Sequence, residues 1–353
     1  MSETSRRVTP LAAVDFCVDL LSHAGLSGAD AAVVAACLVR ADLRSINTHG
    51  ITRMQVYMER LSDGLINAKP NLKLTKLTLV VGHLDGDNGL GFLVATRAMD
   101  EAIKMADEFG IGMVAANHSN HYGVAAAYIL QAAEAGFISF AFSNGPAAMP
   151  TWGGRAPLLD TSPFAAGAPL EEGAPFVLDF SPAITTRGAI RRAMRHGTPI
   201  APGLALDAEG RPTTDPKAAF EGVVLPIGGP KGSGLAMLMD LMSGVFAGAG
   251  FAGSVGDLYG GERPQDVDHM FMAIKPGLFV TPDGFSERIE ILARTVHELP
   301  RAEGFDEVLM PGERGARCEA TYRCDGIPCA DEDIAMLQET ARTYGTAPLA
   351  ILP

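Results

Sequence analysis

The spacing of apolar residues changes twice along this chain, and these changes constrain its fold more than any single motif does. Up to about residue 64 the apolar residues recur every three or four positions, as in amphipathic helices: Leu11, Val14, Val18 and Leu21. From about Leu72 the spacing shortens, which predicts strands. The helical spacing returns between Ile289 and Ala341. This order predicts a mixed α/β core flanked by helices from both chain ends.

Short apolar runs between turns mark the strands of the central part. They are predicted at residues 111–116, 137–143, 176–180, 223–227, 270–274 and 278–281. We divide the 353 residues into three parts. Residues 1–75 form an N-terminal helical part, residues 76–285 form a mixed α/β part, and residues 286–353 form a C-terminal helical part that packs back on the first.

The composition argues against several classes of partner. A formal net charge of −13 repels a polyphosphate, so we expect no nucleic acid. The most apolar stretch, residues 234–253, carries Asp240 and many small residues, so we expect a buried helix and no membrane span. No long apolar run follows Ser5-Arg6-Arg7, and we expect a cytoplasmic protein. The five cysteines suggest neither a disulfide framework nor a metal site.

The first candidate site is the run Thr48-His49-Gly50-Ile51-Thr52-Arg53. If a helix begins near His49, then His49 and Arg53 stand four residues apart on one face. Arginine can hold the carboxylate of a 2-oxo acid with two parallel bonds. Histidine can protonate the neighbouring carbonyl oxygen and take the proton back in the reverse direction. The alternative is a histidine at a helix start and a solvated arginine.

The second candidate is the polar run Asn117-His118-Ser119-Asn120-His121-Tyr122-Gly123. It lies between a predicted strand and a predicted helix, where exposed backbone N–H groups favour phosphate or carboxylate. Two histidines at this spacing could also bind a metal, but the run contains no carboxylate. The alternative is an ordinary polar loop.

The third candidate is the run Gly228-Gly229-Pro230-Lys231-Gly232-Ser233-Gly234, which again follows a predicted strand and precedes a helix. Glycines let the backbone approach a ligand closely, and Lys231 adds a point charge. Gly232 stands where a Walker A loop needs Ser or Thr, so the run is not such a loop. It is either a phosphate-binding loop or a connecting turn.

Together these segments resemble the malate/L-lactate dehydrogenase family of the second type. Its members include ureidoglycolate dehydrogenase, 2,3-diketo-L-gulonate reductase and Δ1-piperideine-2-carboxylate reductase. The matching segments follow the family order over nearly the whole chain: 42–53, 117–123, Trp152-Gly153-Gly154, 178–181, 228–234 and Pro311-Gly312-Glu313. Several separate matches in the right order are far more specific than any one of them.

The resemblance implies an α/β fold other than the Rossmann fold. NAD or NADP would lie on a largely antiparallel sheet in the middle part, which would also bind the substrate. Helices from both chain termini would flank that sheet, and the protein would be a homodimer. The missing G-x-G-x-x-G run after an early strand agrees with this expectation.

The resemblance also implies roles for individual residues. His49 would be the acid/base at the substrate, Thr48 would orient its imidazole, and Arg53 would anchor the substrate carboxylate. His121 matches a histidine assigned as proton acceptor in the ureidoglycolate enzyme, so the two histidines compete for that role. Cofactor contacts are implied for a larger set: Asn120, His121, Tyr122, Gly123, Asp179, Phe180, Ser181, Lys231, Gly312 and Glu313.

The expected reaction is hydride transfer between nicotinamide and a small 2-oxo or 2-hydroxy acid, as for malate, lactate or ureidoglycolate. One alternative is a reductase of cyclic-imine carboxylates, but Ala189 stands where such enzymes would carry a carboxylate. Another is a catalytically silent binding protein on the same fold. Ser181-Pro182-Ala183 replaces the usual Ala-Thr-Ser and removes two hydroxyls from the substrate side.

The Lys231 run gives a first testable prediction. Lys231→Ala should weaken NADH and NADPH binding, because the mutant lacks a point charge near the phosphates. The deficit should shrink as salt is added, since screening already weakens that contact in the parent protein. Fluorescence titration of both nucleotides measures the effect. Equal affinities for mutant and parent would leave residues 228–234 as a connecting turn.

Overall fold

The computed structural model describes residues 5–161 and 163–352. Its helices are α1 Pro10–His23, α2 Gly28–Leu43, α3 Met54–Ser62, α4 Gly91–Phe109, α5 Ala126–Glu134, α6 Arg187–His196, α7 Pro216–Glu221, α8 Pro230–Asp240, α9 Pro282–His297, α10 Glu313–Asp325 and α11 Asp331–Tyr344. Its strands are β1 Ser5–Val8, β2 Lys73–Lys76, β3 Val81–Asp85, β4 Ile111–Ser119, β5 Ile138–Ser143, β6 Phe164–Ala168, β7 Phe176–Phe180, β8 Ala205–Leu206, β9 Pro212–Thr213, β10 Val223–Val224, β11 Val267–Ile274 and β12 Ile327–Ala330.

A large central sheet organises the middle of the molecule. Its strand order is β2-β3-β4-β11-β5-β6-β7. Only the β3–β4 pair is parallel among the pairings of the described strands, and the others are antiparallel. β11 lies at the centre, where Met270 is paired with Ala115 on one side and Phe142 on the other. The prediction of a mixed α/β protein with a mostly antiparallel sheet is confirmed.

Helices α4 and α5 cover one face of this sheet. Met99 and Tyr128 from these helices share an apolar cluster with Val114 and Phe271 from the strands. The approach of α4 is close, because a Cβ on Gly112 would lie 2.0 Å from the carbonyl oxygen of Ala102. This tight packing holds β4, and with it the turn that follows at residue 120, in a fixed position.

The two ends of the chain meet away from the sheet. β1 pairs with β12 in antiparallel register. Leu20 on α1, Leu38 on α2 and Leu337 on α11 lie in one buried cluster. A further small unit combines α6 and α7 with the strands β8, β9 and β10, and its core contains Ile190 and Val224. The division at residues 75 and 285 remains a prediction.

Two predicted elements differ from the structure. The strand expected at 278–281 is instead the end of a 3-10 turn, Pro276–Leu278, followed by residues that lead into α9. Prolines 276 and 282 lack the N–H that a sheet ladder needs, and Phe279 is 95% exposed. The apolar stretch 234–253 is not a buried helix, since it forms most of α8 and a π-helical turn, Leu241–Val245, at the surface. In the part of the chain that the structure describes, no helix combines the length and apolarity that crossing a membrane requires.

Candidate active site

The segment between α2 and α3 is built from two tight turns. The sequence predicted a helix beginning near His49, but the chain forms 3-10 turns at Asn47–His49 and Ile51–Arg53 before α3. Gly50 lies between the turns in an extended conformation, with ψ of −152°. The expected helical spacing of His49 and Arg53 is therefore wrong, because the extended residue interrupts the helix.

A buried carboxylate holds these turns in place. Asp42 on α2 accepts a hydrogen bond from the N–H of Ile51 at 2.8 Å. A Cβ on Gly50 would lie 1.9 Å from the same carboxylate, so only glycine fits above it. Burial raises the pKa of Asp42 to about 8. Asp42 lies in the segment that matched the family, but its sequence position gave no sign of this contact.

The backbone and side chain of Thr48 connect the two predicted substrate residues. The Thr48 hydroxyl oxygen lies 3.0 Å from Nδ1 of His49. Nε of Arg53 donates to the Thr48 carbonyl at 2.6 Å. Burial, and secondarily the positive charge of Arg53, lower the pKa of His49 to about 4. His49 is therefore a neutral imidazole at neutral pH.

The structure brings His121 next to His49. The two rings are stacked, with centroids 5.7 Å apart and planes at 20°. Nδ1 of His121 accepts the N–H of Gly123 at 3.3 Å and lies 2.7 Å from the Tyr57 hydroxyl. Nδ1 is thus an acceptor, which places the proton of neutral His121 on Nε2. Burial and then the charge of Arg53 hold its pKa well below the usual range.

Both imidazoles face one cavity of about 260 Å³ at the edge of the central sheet. Seven of the predicted site residues line it: His49, His121, Tyr122, Gly123, Asp179, Phe180 and Ser181. Asp179 accepts the N–H of Ala126 at 2.8 Å at the start of α5, and burial raises its pKa to about 6. The structure therefore joins the first two candidate segments with the end of β7.

Other predicted cofactor residues lie elsewhere. Asn120 is buried behind the cavity wall, and its amide donates to Asn88 and to the Gly89 carbonyl at 2.9 Å. Lys231 is exposed in the first turn of α8. A Cβ on the neighbouring Gly229 would meet the Trp152 ring at 3.0 Å, so this turn packs against a largely exposed tryptophan.

Gly312 and Glu313 lie where α10 begins beside β7. The Glu313 carboxylate accepts from the Met310 N–H at 2.9 Å and lies 2.8 Å from Nε2 of His297. The Gly312 carbonyl accepts from Arg44 at 3.0 Å. These contacts join α10 to α9 and to the end of α2, and the neighbouring Pro311 carbonyl accepts from the Val177 N–H of β7 at 3.0 Å. Neither Gly312 nor Glu313 is among the described residues that line the cavity.

A third histidine, His269, is fully buried behind the cavity and was not predicted from the sequence. His269 on β11 lies 2.9 Å from the hydroxyl of Ser143 through Nδ1 and 3.0 Å from that of Ser119 through Nε2. Its ring stacks on Tyr122 at 4.6 Å. Burial lowers the pKa of His269 to about 3. A single histidine within an apolar strand carries no sequence signal for such a network, because its partners lie more than 100 residues away.

Known proteins of one family resemble this chain over nearly its whole length. The malate/L-lactate dehydrogenase family model matches residues 8–338. The L-sulfolactate dehydrogenase of Methanocaldococcus jannaschii is 37% identical over 328 residues, which cover 93% of this chain and 94% of that protein. Its solved structure has a TM-score of 0.91 at 34% identity and covers 96% of this chain and 98% of that one.

Two further relatives carry their cofactor in their names. The (2R)-3-sulfolactate dehydrogenase (NADP(+)) of Chromohalobacter salexigens is 35% identical over 88% of this chain and 91% of its own length. The ureidoglycolate dehydrogenase (NAD(+)) of Escherichia coli is 31% identical over 88% of this chain and 89% of its own length.

The buried His269 predicts how stability depends on pH. In the unfolded chain an imidazole has a pKa near 6.5, whereas folded His269 binds a proton only near pH 3. Between these values the unfolded state binds more protons, so stability present above about pH 6.5 is lost as the pH falls. His269→Gln should reduce that slope by up to about 1.4 kcal/mol per pH unit. Urea unfolding between pH 4 and 7 measures it, and an unchanged slope would contradict a neutral, buried His269.

Proposed function

The chain belongs to the malate/L-lactate dehydrogenase family, and from that membership we propose that it interconverts a small 2-oxo acid and its 2-hydroxy acid at the His49–His121 cavity. It is an oxidoreductase acting on a CH–OH group, and its cofactor is NAD or NADP. The observation that carries the proposal is the pair of stacked, neutral imidazoles beside Arg53.

Arg53 binds the substrate carboxylate in this proposal. Its guanidinium charge lowers the pKa of both imidazoles, so it lies close to the place where the substrate oxygen would be. A carboxylate on Arg53 would hold the neighbouring C2 oxygen near the two rings. In this arrangement Arg53 supplies the positive charge that binds the carboxylate, and two neutral imidazoles lie near the carbon that exchanges the hydride.

The two histidines have different parts in the reaction. His49 can donate Nδ1–H to the Thr48 hydroxyl, which leaves Nε2 as the base that takes the hydroxyl proton during oxidation. His121 carries its proton on Nε2 because Nδ1 accepts from Gly123, so it donates a hydrogen bond and does not accept the proton. We therefore assign the proton transfer to His49.

The deeper part of the cavity suits the nicotinamide end of the cofactor. The wall presents the Asp179 carboxylate and the hydroxyl and amide groups of Ser143, Asn144 and Ser181, and none of the described lining residues is Lys or Arg. This donor set fits a ring that carries a carboxamide and is positively charged when oxidised. NAD or NADP bound there supplies or accepts the hydride.

The proposed cofactor contacts extend beyond this wall. Tyr122, Gly123, Asp179, Phe180 and Ser181 would surround the nicotinamide, while Asn120 supports the loop from behind. Lys231, in the first turn of α8, would meet the phosphates. Gly312 and Glu313 would complete the site from the α10 side.

We also propose a cytoplasmic homodimer. Along α8 and the π-helical turn after it, a set of apolar side chains at helical spacing faces outward: Met237, Leu238, Leu241, Val245 and Phe246. Leu241 is 50% exposed and Phe246 is 61% exposed, and exposed apolar side chains grouped in this way can mark a contact between proteins. The cysteines of the described chain are free thiols, which fits a reducing compartment.

A substrate screen tests the activity. NADH and NADPH oxidation should be measured with pyruvate, oxaloacetate, longer 2-oxo acids, 2,3-diketogulonate and Δ1-piperideine-2-carboxylate. We expect turnover of at least one 2-oxo acid, because Arg53 and the imidazoles fit its carboxylate and carbonyl. Turnover of the cyclic imine alone would favour the imine reductase. No turnover with intact nucleotide binding would favour a catalytically silent binding protein.

The histidine assignment has its own test. His49→Asn should lower kcat by roughly 10²–10⁴-fold, the usual contribution of positioned proton transfer, and should remove the acid limb of the kcat profile. His121→Asn should leave that limb in place and lower kcat less, because it removes a hydrogen-bond donor and not the base. Profiles of kcat against pH measure both. Loss of the limb in His121→Asn, with its survival in His49→Asn, would reverse the two roles.

A further inference from the structure

Three side chains, one just before α3 and two within it, connect the proposed site to a neighbouring loop. Arg53, Tyr57 and Arg60 are spaced at four and then three residues, so they share a helix face. Tyr57 contacts His121, as described above. Arg53 and Arg60 both contact residues 254–265, which we name the Tyr259 loop.

The ends of the Tyr259 loop are joined. The Gly256 N–H donates to the Gln265 carbonyl at 2.7 Å, and the Gln265 amide donates to the Gly256 carbonyl at 3.2 Å. The Gln265 side chain also accepts the N–H of His121 at 3.0 Å. Through Gln265, one end of the loop is therefore attached to His121, which donates a hydrogen bond in the proposed reaction.

Arg60 fixes the shape of the loop from inside. It is buried, and its guanidinium donates to backbone carbonyls of Asp257 at 3.1 Å and Arg263 at 2.9 Å. A Cβ on Gly261 would lie 3.2 Å from the same guanidinium, which shows how closely the loop wraps around it. A planar group with several fixed donors suits this task, and it leaves the loop little freedom near Tyr259.

Tyr259 is the residue that this loop presents to Arg53. Its hydroxyl accepts a hydrogen bond from Nη1 of Arg53, and the guanidinium carbon lies 5.2 Å from the centre of the ring. With the bond from Nε to the Thr48 carbonyl, Arg53 is held on two sides. A guanidinium has five N–H groups, and these contacts use two of them.

The Tyr259 hydroxyl accepts from Arg53 and still has its own hydrogen to donate. A hydroxyl that accepts from an arginine can still donate that proton to a second acceptor. The most favourable acceptor beside a guanidinium is an anion, since hydrogen bonds to charged groups are the strong ones. Tyr259 is 58% exposed, so a small anion from solvent can reach this side chain beside Arg53.

We propose that the Tyr259 hydroxyl is a second carboxylate-binding group, donating its proton to the same substrate carboxylate that Arg53 holds. The inference rests on the proposed function, because it takes the ligand of Arg53 to be the carboxylate of a 2-oxo or 2-hydroxy acid. Tyr259 then adds affinity and directional preference for a carboxylate without adding charge. Arg60 acts through the loop and is a positioning residue.

Tyr259→Phe is the direct test, because it removes the hydroxyl and keeps the ring that stacks on Arg53. We expect the KM for pyruvate and oxaloacetate to rise about tenfold or more, as for loss of one hydrogen bond to a charged group. The kcat at saturation and the Kd for NADH should stay within about twofold. Calorimetric titration of oxalate into the enzyme–NADH complex should show a Kd raised by a similar factor.

Two further variants make the outcome specific. Tyr322→Phe, on α10 in the helical part, is the matched control and should leave every constant unchanged. Arg53→Lys should raise the KM and the oxalate Kd, because lysine lacks the bidentate geometry. If Arg53→Lys impairs oxalate binding and Tyr259→Phe leaves it unchanged or tightens it, the Tyr259 proposal is overturned while the proposed function stands. If the parent enzyme does not bind oxalate, or neither variant weakens it, the Tyr259 proposal is overturned and Arg53 loses its assigned role as well.

Discussion

The hydrogen bond between Asp42 and the Ile51 N–H is the contact on which the substrate end of the site depends. It attaches the turn segment to α2, whose other face is packed in the helical core. A buried negative charge is costly, and burial raises the pKa of Asp42 to about 8, so its carboxyl group favours the neutral form, which still accepts from the Ile51 N–H. Gly50 is required because any Cβ would displace the carboxylate. His49 and Arg53 flank this glycine, so one backbone contact positions both the base and the carboxylate anchor.

Local patterns predicted the elements that pack locally. The apolar run 176–180 became β7 with the same bounds, and the run predicted to begin at residue 111 became β4, which begins at that residue. The errors lie where local pattern and tertiary context disagree. An apolar run with a proline on each side at 276 and 282 cannot join a sheet ladder. The stretch 234–253 is apolar although much of it lies at the surface, and a hydrophobic pattern alone does not show which residues of a segment are buried.

Candidate site residues could be named from the sequence, but their contacts could not. His49, Arg53 and His121 stood out because they lie in short polar runs whose order matches a family, whereas Tyr57 beside His121 and Tyr259 on Arg53 join positions 64 and 206 residues apart. No spacing rule connects residues at such separations. His269 is a related case, since an isolated histidine in an apolar strand shows its role only when the two serine hydroxyls on the neighbouring strands are in view.

Arg53 connects substrate binding to the proton transfer in the proposed reaction. Its positive charge is one cause of the lowered pKa of both His49 and His121. A carboxylate bound to the guanidinium cancels part of that charge, and an opposite charge nearby favours the protonated imidazole. Such a carboxylate would weaken the smaller of the two causes that lower the pKa of His49, and the imidazole would be a stronger base when a hydroxyl proton must be taken. In a chain with a net charge of −13, the partly exposed guanidinium of Arg53 can have this effect because the two imidazoles beside it are largely removed from water, and a low dielectric strengthens the field of a nearby charge.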